Sequence, residues 1–113
     1  MATDAPLVTC EEQVLLAVIR TGSTAGDAYG MAVRRELEEV TGREVAIGAV
    51  YATLDRLEAK GLAASQRSGG AAASRRVFSV TRRGVRALAE SREMRERLWR
   101  GVDVVALLAR AGR

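Results

Sequence analysis

The chain has no histidine, one cysteine, one proline and four aromatic side chains among its 113 residues. Without histidine it lacks both the side chain that titrates near neutral pH and the commonest metal ligand. A lone Cys10 forms no intrachain disulfide and supplies no cysteine-rich zinc site. At the start of an expected helix it reads either as a thiol of lowered pKa or as a small half-buried residue without a role. Gly69-Gly70 runs into Ala71-Ala72-Ala73 and lacks the Lys-Ser/Thr that would hold a nucleotide. Apolar runs are short, as in Val14-Leu15-Leu16-Ala17-Val18-Ile19, far below the ~20 residues that span a bilayer. The first residues, Met1-Ala2-Thr3-Asp4-Ala5-Pro6, lack the basic and apolar parts of a secretory signal. The expectation is a cytoplasmic protein that is not an enzyme, with no cofactor, no metal and no membrane contact.

What is present is more directive. A composition 48% hydrophobic and 28% charged suits one soluble domain with a real core, not a disordered chain. The net charge of +4 is unevenly spread. Residues 1–46 carry 4 basic and 8 acidic side chains, a net of −4, whereas residues 47–113 carry 14 and 6, a net of +8. All but one of the 18 cations are arginine, whose planar fork suits phosphate oxygens and guanine edges. A polyanion bound by the C-terminal two-thirds is one reading; compositional drift in a chain with 20 alanines is the other.

Periodicity divides the chain into a mobile tail (1–8), a compact unit (9–80) and a last helix (81–113). A capping box, Thr9-Cys10-Glu11-Glu12, starts a helix over 9–20 with the stripe Leu15, Val18 and Ile19, and residues 21–26 read as a loop. Asp27 is the expected cap of a second helix carrying Tyr29, Val33, Leu37 and Val40, closed by Thr41-Gly42. Ile47, Val50, Leu54 and Leu57 mark a third over 47–60, with Gly61 as its stop. Two short strands follow, over 62–67 and 75–80. The expected fold is mainly α with a small β-hairpin: a winged helix-turn-helix whose third helix enters a major groove.

Thr81 caps a single long helix over 81–109, kinked at Gly101. Its apolar positions are Val85, Leu88, Met94, Leu98, Trp99, Val102, Val105 and Leu108. At 1.5 Å per residue it would run about 45 Å and overhang a unit whose radius of gyration is near ~12 Å. A second copy is the economical partner for the overhang, so a homodimer follows.

Two stretches resemble the PadR family of bacterial transcriptional regulators. They are Ala28-Tyr29-Gly30-Met31-Ala32-Val33-Arg34-Arg35-Glu36-Leu37 and Gly48-Ala49-Val50-Tyr51-Ala52-Thr53-Leu54-Asp55-Arg56-Leu57-Glu58-Ala59-Lys60-Gly61-Leu62. Arg75-Arg76-Val77-Phe78-Ser79-Val80-Thr81-Arg82-Arg83-Gly84 is similar to the strand and Thr-x-x-Gly helix start that close that family's wing. The resemblance spans residues 11–100 and implies a homodimeric repressor of the short subclass, dimerised by its last helix. Ala52 stands where the family commonly has proline, and the wing tip is neutral. In some members an aromatic residue on the dimer helix stacks on a flat, hydrophobic effector; Trp99 would take that part here, or serve as an interface anchor.

The candidate DNA-binding residues are Gly48, Ala49, Tyr51, Ala52, Thr53, Arg56, Arg67, Arg75 and Arg76. The face of helix 3 opposite its core stripe is Gly48, Ala49, Ala52, Asp55, Arg56 and Ala59. Its small residues let the backbone approach bases, and Ala49 and Ala52 can touch thymine methyls. Tyr51 and Thr53 flank that face within reach of phosphates. Arg56 reads as a DNA contact or as a surface ion pair with Asp55 or Glu58. Adjacent strand residues diverge, so only one of Arg75 and Arg76 points directly at a given groove. Double-stranded promoter DNA is the expected partner; the alternative is a protein-interaction module that has lost sequence-specific DNA binding.

Overall fold

The computed structural model describes residues 7–24, 27–68 and 75–112. Most of the expected tail and the neutral wing tip, 69–74, lie outside them. At the described end of the tail, Leu7 packs against the core.

The first helix, α1 (Thr9–Thr24), buries Val14, Leu15, Ala17 and Val18. It continues through 21–24, where a loop was expected, because Thr21 falls on the same stripe and is 3% exposed. The expected capping box does not form. Thr9 is already helical, the Val8 N–H donates to Glu11 Oε1 at 3.2 Å, and Glu12 pairs with Arg95 instead.

Helix α2 (Gly30–Thr41) is capped at its start by Tyr29, not Asp27, and without a side-chain hydrogen bond. The cause is distant in sequence. The Phe78 N–H donates to the Ala28 carbonyl at 2.8 Å, and Tyr29 forms a bridge with Val77, which keeps residues 28–29 extended. Gly42, at φ +70°, ends α2 as expected.

Helix α3 (Ile47–Ala59) buries Val50, Leu54 and Leu57 and leaves Ile47 half-buried. It closes with paired bonds, Leu62 N–H to Leu57 O at 2.9 Å and Gly61 N–H to Glu58 O at 3.0 Å, made possible by Gly61 at φ +76°. Strands β1 (Ala63–Ser68) and β2 (Arg75–Val80) pair antiparallel from Ala63↔Val80 to Ser68↔Arg75, with Ala63 and Phe78 buried. Thr81 caps α4 (Arg82–Trp99) by accepting from the Gly84 N–H at 3.1 Å, and its own hydroxyl donates to Gly61 O at 2.7 Å. The start of α4 is thereby tied to the end of α3.

The single long helix is in fact two. Gly101 adopts φ +81°, and Asp103 caps α5 (Val104–Ala111) through the Ala106 N–H at 3.1 Å. A left-handed glycine followed two residues later by a capping aspartate stops one helix and starts another. Leu88 and Ser91 are the last buried residues of α4. The radius of gyration is 16.8 Å, against about 13 Å for a compact chain of this length, so the C-terminal arm extends well beyond the unit. Val85, assigned to the apolar stripe, is 51% exposed. Among the described residues no helix is long and apolar enough to cross a membrane.

Candidate nucleic-acid interface

The exposed face of α3 is made mostly of small residues: Gly48, Ala49, Ala52 and Ala59 lie beside two charged side chains, Asp55 and Arg56. On the wing side, the Tyr51 ring lies on the start of α2. A Cβ at Gly30 would stand 2.3 Å from that ring, which is why glycine follows Tyr29. Arg75 lies over the Tyr29 ring, 4.3 Å from its centroid, and the Tyr29 hydroxyl accepts from Arg35 at 2.8 Å. Tyr29, Met31, Tyr51, Arg67, Arg75 and Arg76 line an open hollow of about 510 Å³ between wing and helices.

Arg76 turns back onto α3. Its Nη1 lies 2.8 Å from Asp55 Oδ1, and its Nη2 donates to Glu58 Oε1 at 2.6 Å. Glu58 also accepts from the Ser65 hydroxyl at 2.8 Å, and the Ser65 and Arg76 hydrogen bonds hold its carboxyl below the ordinary value. Glu58, then Asp55, raise the Arg76 pKa in return. Arg75 and Arg76 therefore do diverge, one over Tyr29 and the other toward the acids of α3.

On the opposite flank, Arg56 pairs with neither Asp55 nor Glu58. Its Nε donates to Glu11 Oε2 at 3.3 Å, and Lys60 reaches the same oxygen at 2.7 Å. Thr53, placed by the sequence within reach of phosphate, is 5% exposed and accepts from Arg56 at 3.5 Å. Cys10 is exposed, 4.0 Å from the same guanidinium.

Glu11 is the residue that sequence reasoning missed. It sits four and seven residues before Leu15 and Val18, on the buried stripe, and that position was the available signal. It is 1% exposed. Burial pushes its carboxyl up, but hydrogen bonds from Lys60 and the Val8 N–H, with Arg56, outweigh that and hold it below the ordinary value. A lowered folded value means that Glu11 stabilises the fold above about pH 4.5, and the contribution fades as pH falls through the folded value. Glu11→Gln is expected to cost about 1–3 kcal/mol at pH 7. The gap from the parent protein should shrink by pH 3 in urea unfolding; an equal gap at both pH values contradicts the assignment.

The model of the transcriptional regulator PadR-like family matches residues 15–90, from within α1 through α2, α3 and the hairpin into the first half of α4. The chain belongs to this family. A PadR family transcriptional regulator from Eggerthella lenta DSM 2243 is 27% identical over 80% of each chain, with a TM-score of 0.61. The chain is also similar to hsRosR-S4, solved in a complex, at 26% identity over 95% of this chain and 93% of that one, with a TM-score of 0.63. RosR of H. salinarum, at 24% identity over 94% of each chain and a TM-score of 0.66, shares the fold. No curated protein matches the sequence. As a PadR-like protein the chain is a transcriptional regulator on a winged helix, and its family and solved neighbours are regulators, not enzymes. The Tyr-Gly pair of α2 and the Tyr51 ring that rests on it thus belong to the winged-helix unit of a PadR-like regulator.

Proposed function

We propose that the protein is a homodimeric repressor that binds an inverted repeat in a promoter, one α3 in the major groove of each half-site. The observation that carries this reading is the exposed small-residue face of α3 beside the hollow of Tyr29, Tyr51, Arg67 and Arg75. Gly48, Ala49 and Ala52 allow close approach to base edges, with thymine methyls against the alanines. The Tyr51 hydroxyl, Arg67 and Arg75 meet phosphate oxygens. Arg56 and Lys60, sharing the one carboxylate of Glu11, add positive potential at one flank, whereas Arg76 is taken up by Asp55 and Glu58. Thr53 is covered and acts through Arg56.

The dimer is supported by the arm: Leu98 of α4 and Val105 and Leu108 of α5 are 71%, 78% and 66% exposed, an apolar set that a second copy covers. Met94, Trp99 and Val102 extend it. A flat hydrophobic effector stacking on Trp99, itself 58% exposed, would relieve repression. Such a protein meets its operator in the cytoplasm.

Footprinting on the gene's own promoter tests the reading. The expected pattern is two protected half-sites with centres one helical turn, about 34 Å, apart. The small-residue face of α3 favours a second reading, a protein-interaction module, and absence of any protected pair on that promoter would support it.

A further inference from the structure

The face of α3 turned away from Val50, Leu54 and Leu57 holds two side chains able to hydrogen-bond, Asp55 and Arg56, and Arg56 is drawn aside to Glu11. The Asp55 side chain is 58% exposed, and a carboxylate aimed at DNA is normally repelled by phosphate. Here the charge is offset only in part, because one guanidinium serves both Asp55 and Glu58. The Arg76 guanidinium engages Oδ1 at 2.8 Å, and it is held from behind by Glu58 and by the Phe78 ring, 4.8 Å from its carbon. That ion pair engages Oδ1 and restrains the carboxylate, whose side chain stays largely exposed. A carboxylate only accepts hydrogen bonds. In the major groove the donors are the cytosine N4 amine and the adenine N6 amine, and adenine sets its N7 acceptor beside the amine, which repels a second acceptor.

We infer that Asp55 is a specificity-determining residue that selects a cytosine at one fixed position of each half-site, with Arg76 as its positioning partner. The inference rests on the DNA-binding reading above and adds to it the base that is read. An asparagine at the same place offers a donor and an acceptor, which match adenine N7 and N6. Removing the side chain leaves an alanine-lined face with nothing to discriminate at that position.

Selection from a randomised duplex library, run on the full chain, Asp55→Asn and Asp55→Ala, tests this. The native protein is expected to return a cytosine at symmetric positions of an inverted repeat, favoured about fivefold or more over the other bases. Asp55→Asn should move that preference to adenine. Asp55→Ala should level it while the remaining positions keep theirs. Retention of the same base by all three proteins overturns the inference and leaves the DNA-binding reading standing, as does a uniform loss of affinity with unchanged preference, which would reduce Asp55 to a prop for Arg76. Failure of the native protein to enrich any sequence overturns both. Circular dichroism of the exposed-site variants separates these outcomes from misfolding.

Discussion

Leu98→Asp combined with Val105→Asp is expected to convert the protein to monomers and to weaken binding to a full inverted repeat by about 100-fold or more. Both side chains are largely exposed in the single chain, at 71% and 78%, so neither supports the winged-helix core. If a second copy covers them, each substitution places an unpaired carboxylate in an apolar interface. Two linked recognition helices gain roughly 10²–10⁴ in avidity over one, without any new contact, and dissociation forfeits that gain. Sedimentation equilibrium with titrations on full and half sites checks both steps. Binding to a single half-site should change little. A doubly substituted protein that stays dimeric would place the interface elsewhere, and monomers binding the full repeat undiminished would separate dimerisation from DNA recognition.

The second large effect is on stability. Gly84 lies in the first turn of α4, and a Cβ there would stand 2.1 Å from the Leu62 carbonyl oxygen and 2.7 Å from Val80. In an unobstructed helix, glycine to alanine stabilises by roughly 0.5–1 kcal/mol. Here the obstacle is backbone, at the junction where Thr81 joins the end of α3 to α4, so neither side yields cheaply. Gly84→Ala is expected to destabilise by about 1–3 kcal/mol, lowering Tm by roughly 4 °C or more. Urea unfolding with an unchanged m-value measures the cost. A rise in stability would mean that α4 does not approach Leu62 so closely.

What the sequence made legible is local chemistry. Gly42 and Gly61 as helix stops, Ile47 as the start of α3, strand β2 and the Thr81 cap each depend on residues within a few positions, and each lies where the pattern put it. The parts not legible depend on distant partners. Tyr29 displaces Asp27 as a cap because β2, nearly fifty residues away, holds Ala28 extended. Thr21 stays helical because the core takes it. Arg56 finds Glu11 across 45 positions, a pairing that no spacing rule exposes. The break after Trp99 is an intermediate case. Gly101 signalled a kink, but the capping role of Asp103 makes it a full stop. For the interface, residue type marked Tyr51, Arg67 and Arg75, and the structure gathers them around one hollow. Burial withdrew Thr53, and the acids of α3 claimed Arg76.

Fluorescence anisotropy tests whether the dimer binds duplex DNA with sequence specificity. The protein is titrated into labelled DNA from its own promoter and into unrelated DNA of equal length, at two salt concentrations. Binding to the promoter is expected to be tighter by about a thousandfold or more, with, for about six phosphates neutralised, a slope near −5 in log K against log salt. Equal, weak binding to both duplexes would contradict sequence-specific recognition.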